Sequence, residues 1–286
     1  MFLLFASFVC ALETVTYLFT DAKYAEMTLA VANATYRLAR RDPYAYQNRF
    51  FVTIWVLDDT SCRLFQPFFC VPLLYRDLDY QSMLEKRLTV MYAALEHPLP
   101  EYEGVMMLDS DVLLKRNVAA RMAAYGTDLV FQSEWPCVMP HCANGGVWWA
   151  RARSAAALDV VKRALNWAKT MKISDQDALN VAISLGNASV AYLPATKYPN
   201  GFVMQANNRL DARNVHLLHA NWCEFDRKAE RLHEAAKAAR FFAVPAETNT
   251  TFVCKTLNAL DTRQLMQILG CGSYSDCTLR IKQMCY

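Results

Sequence analysis

The sequence predicts an α/β domain in which helices flank a mostly parallel β-sheet. Apolar runs rich in β-branched and aromatic residues alternate with stretches of helical periodicity, as in chains built from β–α units. Several of these runs are apolar throughout, which is typical of strands that are buried on both faces of a parallel sheet. Aspartates follow some of the runs directly, and ligands bind at the carboxyl ends of strands in such sheets.

The first half of the chain contains five predicted strands and two long helices. We expect strands at Thr14–Phe19, Phe50–Leu57, Cys70–Tyr75, Gly104–Leu108 and Asp128–Gln132. Helices are predicted at Tyr24–Ala39, where apolar residues recur every three or four positions, and at Met83–Leu95. Acidic residues follow three of these strands: Asp21, Asp58, Asp59, Asp109 and Asp111. We therefore expect a cluster of carboxylates at one edge of the sheet.

In the second half of the chain, predicted strands and helices alternate less regularly. The stretch NGGVWWARA is predicted as a turn that leads into another strand, and SVAYLP as a late strand. An amphipathic helix is expected at Ser154–Met171, and a second helix begins at Ser174 and runs through DQDALNVAISL. Residues Arg227–Ala239 are rich in alanine and charged residues and predict a last helix.

Length and composition favour one main domain with two short additions. The 286 residues are 54% hydrophobic and 20% charged, so the chain can bury a large core. Residues 2–12 are apolar and too short to span a bilayer, as in a signal peptide or the remnant of a membrane anchor. A truncated start or a first buried strand would also explain them. We divide the chain into residues 1–12, a main domain at 13–239 and a cysteine-rich C-terminal appendage at 240–286.

The cysteine content indicates the secretory pathway, because ten cysteines without a C-x-x-C pair are typical of disulfides. Cys137 and Cys142 are close enough in sequence to bridge. Further cysteines that could pair lie towards the C-terminus: Cys223, Cys254, Cys271, Cys277 and Cys285. Glycosylation sequons occur at Asn33, Asn187 and Asn249. We expect the ER or Golgi lumen, or secretion, and membrane association only through an uncleaved N-terminal segment.

Several partner and enzyme classes are excluded or disfavoured. A net charge of +3 without a run of like charges argues against nucleic acid as a partner. The chain has no G-x-G-x-x-G dinucleotide motif, no P-loop, no H-E-x-x-H and no G-x-S-x-G elbow. A phosphatase of the haloacid dehalogenase type would carry its Asp-x-Asp on the first strand, whereas here the pair follows the fourth predicted strand.

The segment Asp109-Ser110-Asp111 places two carboxylates at the end of a strand that is expected to be buried. A single aspartate there commonly caps a turn. Two buried carboxylates require a cation or strong hydrogen-bond donors, because unpaired buried charges are costly. Hard oxygen ligands at this spacing suit Mg²⁺ or Mn²⁺ bound to a diphosphate. The sequence therefore predicts a metal site at this position.

The order of the motifs resembles a known family of transferases. The chain contains, in this order, VMMLDSDVLLKRNV, DLVFQSE, NGGVWWARA, SDQDALNVA, LPATKYPNG and HLLHANW followed by a lysine. Over residues 14–235 it resembles the nucleotide-diphospho-sugar transferases of glycosyltransferase family 77 and, more distantly, family 8. This resemblance implies a GT-A fold for residues 13–239. It also implies a metal-dependent, retaining transfer of a sugar from a UDP-sugar to a glycan or glycoprotein acceptor.

The resemblance implies three metal ligands. Asp109 and Asp111 match the family's Asp-x-Asp and would hold Mn²⁺, or Mg²⁺, on the diphosphate of UDP. His219 matches the position that supplies a third ligand, and His216, three residues earlier, is the alternative. A packed core histidine is the simpler explanation for His219 alone, but its place in the motif order favours a ligand.

The resemblance also implies residues that bind the donor. Asn144, Gly145 and Gly146 match the motif along the donor sugar, although an ordinary Asn-Gly turn explains them equally well. Lys228 would reach the diphosphate. The family usually has a glycine before this lysine, whereas here Phe225 or Asp226 falls at that position.

Three more donor-binding candidates come from the first half of the chain. Thr20 and Asp21 follow the first strand, and Lys86 lies on the helix before the metal-binding strand. Arg87, beside Lys86, is assigned to donor phosphate or sugar by the resemblance, but we interpret it as part of a solvated helix face.

The segment SDQDALN has both a structural and a catalytic explanation. Ser174 with Asp177 three residues later forms a capping box. The resemblance places Asp175 and Gln176 beside the anomeric carbon, where a carboxylate stabilises positive charge or acts as a nucleophile. The sequence does not distinguish these two mechanisms.

Two other functions compete with a transferase. One is a secreted carbohydrate-binding protein on an inactive transferase fold, which would bind glycans without needing Asp109. The other is a sugar-nucleotide pyrophosphorylase, which would carry a glycine-rich basic loop after the first strand. The segment FTDAKYAEM has no such loop.

Overall fold

The computed structural model describes residues 13–41, 50–58, 62–73, 80–100, 102–134, 142–201, 203, 214–221 and 228. Nine strands are seen in this part of the chain: β1 (Glu13–Thr20), β2 (Phe50–Val56), β3 (Phe69–Pro72), β4 (Tyr102–Leu108), β5 (Val112–Leu114), β6 (Leu129–Ser133), β7 (Ala143–Arg151), β8 (Val190–Leu193) and β9 (Leu217–His219). The helices are α1 (Ala25–Arg41), α2 (Tyr80–Glu96), α3 (Val118–Ala123), α4 (Ala155–Met171) and α5 (Asp175–Leu185).

Seven strands form one sheet in the order β3-β2-β1-β4-β7-β6-β8, and β5 pairs with β9 in a small second sheet. Neighbouring strands from β3 to β4 are parallel, as are β6 and β8, whereas β7 is antiparallel to both β4 and β6. The predicted α/β fold with a mostly parallel sheet is therefore confirmed. Because β7 runs antiparallel to β4, the first residues of β7 lie at the edge of the sheet where β4 ends.

Helices cover both faces of the sheet. One apolar cluster packs α2, α4 and α5 against one face, and the other packs α1 and α3 against the opposite face. Trp148 and Trp149 are adjacent on β7 and both are buried, but each belongs to a different cluster because side chains alternate along a strand.

Two predicted elements differ from the structure. The Asn-Gly-Gly stretch was expected as a turn, but it lies inside β7, where the Gly146 carbonyl accepts a hydrogen bond from the Asp109 N–H at 2.7 Å. The Asn144 side chain accepts the N–H groups of Gly146 and Val147 at 2.8 and 3.1 Å and so stabilises the start of this strand. The third strand is shorter than predicted and ends at Pro72.

A disulfide joins Cys62 and Cys70, a pair that the sequence did not suggest. Cys142 is also disulfide-bonded, and its partner lies outside the described residues. The predictions for residues 1–12, the helix at 227–239, the appendage at 240–286 and the C-terminal cysteines fall outside the described residues as well. Within the described part of the chain, no helix combines the length and apolar character that crossing a membrane requires.

Candidate active site

The carboxyl end of β4 carries the two aspartates that the sequence singled out. Asp109 follows β4 directly and is held to β7 by its backbone N–H. Asp111 precedes β5, and its carbonyl accepts a hydrogen bond from the Ala220 N–H at 2.9 Å. Because β5 pairs with β9 in the register Val112–His219, the histidine is brought next to both carboxylates.

Asp109, Asp111 and His219 form a compact set of potential metal ligands. One ligand atom from each lies within 4.8 Å of the others. His219 Nε2 is 3.2 Å from Asp111 Oδ1 and 3.5 Å from Asp109 Oδ2. The alternative ligand His216 is not part of this set; its Nδ1 lies 2.9 Å from the Tyr198 hydroxyl.

The orientation of the His219 ring is fixed by Gln132 on β6. The Gln132 side-chain amide donates to the Tyr198 carbonyl at 2.9 Å, so its oxygen is the group that lies 2.8 Å from His219 Nδ1. An oxygen can only accept there, so Nδ1 carries a proton and Nε2 is the nitrogen that faces the carboxylates. Nε2 is buried and has no hydrogen bond of suitable geometry to any described residue.

The pKa values of Asp111 and His219 are strongly shifted by the charged groups around them. Burial opposes the charged form of His219, but Asp111 and Asp109 outweigh it and raise its pKa to about 9. Burial also opposes the ionised form of Asp111, but His219 and Lys228 hold its pKa well below the usual range. His219 and Lys228 thus supply the positive charge that keeps the buried Asp111 ionised.

Gly146 is required for the close approach of the two ligands beside it. A Cβ at this position would lie 2.0 Å from Asp109 Oδ2 and 2.8 Å from His219 Cε1. No side chain fits there without moving the carboxylate. At Gly145 a Cβ would meet the Gln176 Cβ at 3.0 Å, which is tight but less severe. Both glycines are therefore explained by close packing rather than by a turn.

Arg87 on α2 connects the aspartates to the start of α5. Its Nη2 donates to Asp109 Oδ1 at 2.7 Å and to the Gly145 carbonyl at 3.0 Å, and its Nε lies 3.3 Å from Asp175 Oδ2. The residue is buried. The interpretation of Arg87 as part of a solvated helix face is therefore wrong, because α2 turns this side chain into the site.

The start of α5 places Asp175 and Gln176 next to the glycines. The Gln176 side-chain oxygen accepts the Gly145 N–H at 3.0 Å, and the Asp175 carboxylate accepts the Gln176 N–H at 2.9 Å. Burial raises the pKa of Asp175 to about 6, although the nearby positive charge of Arg87 acts in the opposite direction. The predicted helix cap is also present, because Ser174 Oγ accepts the Asp177 N–H at 3.0 Å.

A family comparison agrees with this arrangement. The sequence model of the nucleotide-diphospho-sugar transferases matches residues 75–232, which is more than half of the chain and includes both aspartates, Asp175 and His219. The chain belongs to this family. It is therefore a glycosyltransferase of the nucleotide-sugar type. No functionally curated protein matches the sequence of this transferase.

Solved structures share the fold of the transferase. A glycosyltransferase involved in the glycosylation of the major capsid of PBCV-1 has a TM-score of 0.50 at 12% identity, covering 78% of this chain and 99% of its own. Mouse xyloside xylosyltransferase 1 in its apo form has a TM-score of 0.50 at 12% identity, covering 73% of this chain and 98% of its own. The bifunctional glycosyltransferase WbbM reaches 0.51 at 12% identity, covering 81% of this chain and 52% of its own. At these identities the likeness shows the GT-A-type fold alone.

A cavity of about 520 Å³ opens beside the aspartates of the transferase. Three of the predicted donor-binding residues, Thr20, Asp21 and Lys228, line it, and so does Tyr24, which the sequence did not suggest. Its lining also includes Asp109 and Asp111. The Asp21 carboxylate accepts the Tyr24 N–H at 3.0 Å and thereby shapes the cavity wall.

Other predicted donor-binding residues lie elsewhere. Lys86 is not among the described residues that line this cavity, and its role stays a prediction. Asn144 is buried and its side chain bonds to Glu134 and to its own strand. In this arrangement the Asn144 side chain positions Gly146 and Val147, and a direct contact with the donor sugar stays a prediction.

Gln132 and Glu134 are buried polar residues at the site that the sequence did not suggest. Glu134 is buried and accepts hydrogen bonds from the side chains of Asn144, of Asn200 at 3.2 Å and of Asn221 at 3.3 Å. It thereby ties β6 to the start of β7 and to the segment after β9. The sequence pattern could have indicated them, because Gln132 and Glu134 are two polar residues at i and i+2 that follow an apolar run, as Asp109 and Asp111 do after β4.

Proposed function

We propose that this transferase uses a divalent cation, Mn²⁺ or Mg²⁺, to move a sugar from a UDP-sugar to a glycan or glycoprotein acceptor with retention of anomeric configuration. The observation that carries the proposal is the set of Asp109, Asp111 and His219 beside the end of β4, in which Asp111 and His219 are buried and Asp109 is partly exposed. Retention, the donor and membership of glycosyltransferase family 77 rest on the sequence resemblance.

The three residues fit a divalent cation chemically. Two carboxylates and one imidazole nitrogen are ligands that Mn²⁺ accepts readily. His219 Nε2 is oriented towards both carboxylates while Gln132 holds the opposite nitrogen. Gly146 leaves the space that this approach needs. When bound, the cation would neutralise the charge that develops on the diphosphate leaving group.

The cavity beside these residues is proposed to receive the nucleotide. Thr20, Asp21 and Tyr24 line the part that is built from the end of β1 and the turn after it. Lys228 lies between this wall and Asp111. An ammonium group at that position is suited to a diphosphate.

The residues at the start of α5 are proposed to face the reacting sugar carbon. Asp175 Oδ2 lies 3.3 Å from Arg87 Nε, and the Gln176 side chain is held by the Gly145 N–H. Arg87 favours the ionised form of Asp175, which a residue that stabilises positive charge on the sugar requires. Asp175 as a nucleophile and Asp175 or Gln176 as a stabilising group are both compatible with this placement.

We place the reaction in the ER or Golgi lumen or outside the cell. The disulfide between Cys62 and Cys70 and the bonded Cys142 support this placement, because disulfides persist in oxidising compartments. Galactose, xylose and arabinose remain candidate donor sugars. The acceptor is proposed to be a glycan or a glycoprotein.

The test is UDP release from a panel of UDP-sugars, measured with Mn²⁺ and with EDTA. We expect release from one sugar, loss of release with EDTA, and a loss of roughly 100-fold or more in Asp111→Ala. Asp159→Ala is the matched control, because this exposed aspartate pairs only with the neighbouring helix residue Arg163 among the contacts seen for it. It should retain full activity.

Two results would overturn the proposal. Release that EDTA leaves unchanged would remove the metal from the reaction. No release from any sugar, together with Mn²⁺-independent glycan binding that Asp109→Ala leaves intact, would instead favour a carbohydrate-binding protein on this fold.

A further inference from the structure

Lys228 contacts one oxygen of the Asp111 carboxylate, beside the oxygen that faces the candidate metal ligand His219. Its Nζ donates to Asp111 Oδ2 at 2.6 Å, while His219 Nε2 faces the other oxygen, Oδ1, at 3.2 Å. Both oxygens of this carboxylate are therefore already next to a side chain. A divalent cation would share Asp111 with the ammonium group only against the repulsion between two positive charges.

The two basic residues at the site are held in different ways. Arg87 is bound by Asp109, by the Gly145 carbonyl and by Asp175, so moving it would break several buried contacts. Among the contacts seen for Lys228, Asp111 supplies its only carboxylate, and the remaining one is the face of the Tyr24 ring, 5.8 Å from Nζ. A lysine also has a flexible stem and donates as a point charge, so it can exchange one anion for another.

A second place for the Lys228 ammonium is available beside the first. Lys228 and Tyr24 both line the cavity of about 520 Å³, which also borders Asp111. A small rotation of the lysine stem would therefore move the charge from the carboxylate into the cavity without leaving the site.

We propose that Lys228 is an exchangeable internal cation. It neutralises Asp111 while no divalent cation is bound, and it moves into the cavity to contact the phosphates of the donor when the cation takes its place. This inference rests on the proposed function, since it requires both a divalent cation at Asp111 and a nucleoside diphosphate in the cavity.

The exchange couples the two ligands. A divalent cation alone must displace Lys228 without a new partner for its charge, so its affinity is lowered. When a diphosphate is also present, the displaced ammonium gains an anion, and the two ligands strengthen each other's binding. Lys228 therefore opposes metal binding in the free protein and supports nucleotide binding in the loaded protein.

The test measures Mn²⁺ binding to the free protein from the electron paramagnetic resonance signal of unbound Mn²⁺, and then UDP binding in saturating Mn²⁺ by calorimetry. We expect Lys228→Met to bind Mn²⁺ roughly tenfold more tightly than the wild type, the factor expected when a charged hydrogen bond no longer has to be broken. The same variant should bind UDP roughly tenfold more weakly.

Two variants serve as controls. Lys162→Met removes the same charge from an exposed position on α4, a helix that contributes none of the described residues lining the cavity, and it should change neither Mn²⁺ nor UDP affinity by more than about threefold. Lys228→Arg keeps the charge and should leave Mn²⁺ affinity close to that of the wild type. A thermal unfolding curve for each variant verifies that it is folded.

The outcomes separate this inference from the proposed function. If the wild type binds no Mn²⁺, or if Asp111→Ala binds it equally well, the metal site itself is wrong. If the wild type binds Mn²⁺ at Asp111 but Lys228→Met binds it no more tightly, the metal site stands and the exchange is overturned. Tighter Mn²⁺ binding with unchanged UDP affinity would overturn the movement of Lys228 to the phosphates.

Discussion

The two aspartates of the site have the same chemistry but sit in different surroundings. Asp109 lies between β4 and β7, and its partner Arg87 is also held by the Gly145 carbonyl and by an ion pair with Asp175. Asp111 lies between the main sheet and the small β5–β9 sheet. Among the contacts seen for its partner Lys228, the only hydrogen bond from the ammonium group is the one to Asp111. One side of the site is therefore fixed by a charge network in the core, whereas the other side can change partners.

Removing the fixed partner should have the largest effect. Arg87→Met leaves Asp109 and Asp175 without the guanidinium that lies between them, and breaking such a buried pair costs about 3 kcal/mol of unfolding free energy. We also expect a loss of roughly 100-fold or more in UDP release, because both carboxylates lose their positions. Urea unfolding and the UDP-release assay measure the two effects.

Arg163→Met is the control for this substitution, because Arg163 forms an exposed pair with Asp159. Such a pair contributes only about 0.5 kcal/mol. If Arg87→Met were as stable and as active as this control, the Asp109 side would not be the rigid side of the site.

A substitution that acts through His219, which contacts both aspartates, should have an intermediate effect on the site. Gln132→Leu removes the oxygen that holds His219 Nδ1–H, so the ring loses its fixed orientation towards the aspartates. Removing a residue that orients a metal ligand typically lowers metal affinity about 10–100-fold. Mn²⁺ binding to the free protein tests this expectation.

Tyr198→Phe provides the matched comparison, because it removes a hydrogen bond from the other histidine, His216. It should leave Mn²⁺ affinity unchanged. Equal losses in the two variants would mean that His216 contributes to the metal site after all.

The smallest effect is a pH dependence that belongs to His216. Burial and the nearby Arg121 lower the pKa of His216 to about 4, so the unfolded chain binds a proton at a higher pH than the folded protein does. The contribution to stability is therefore complete above about pH 6.5 and is lost progressively as the pH falls towards 4. His216→Gln should flatten this part of the stability profile by a modest amount, since the side chain is only partly buried.

Thermal unfolding between pH 7 and pH 4 measures the difference between this variant and the wild type. The same substitution at His97, which is exposed, is the control and should leave the profile unchanged. A profile of His216→Gln that follows the wild type throughout would show that another group causes the acid sensitivity.

Much of the fold could be predicted because it depends on local pattern. The strands that became β1, β2, β4 and β6 are long apolar runs, and the helices that became α4 and α5 have clear periodicity and a serine cap. The short strands β5 and β9 were missed, since three residues carry too little pattern and their pairing brings together distant parts of the chain.

Part of the site was predicted from chemistry that is visible in the sequence, and part, including His219 and Asp175, from the resemblance to a known family. Asp109 and Asp111 were found because two carboxylates end an apolar strand. Arg87 was misjudged because the face that a helix turns inward depends on its packing, and α2 has only weak amphipathic character in sequence. The Asn-Gly-Gly stretch was misread because glycines signal turns locally, whereas here they make room for Asp109, His219 and Gln176.

The hydrogen bond between the Asp109 N–H and the Gly146 carbonyl closes the chain on itself. The segment between these two positions contains β5, α3 and β6 and therefore starts and ends at the site. Lengthening a connection inside such a closed segment costs little conformational free energy, since the cost grows only with the logarithm of its length. Insertions between these elements are therefore expected to leave Asp109 and Gly146 paired at the site.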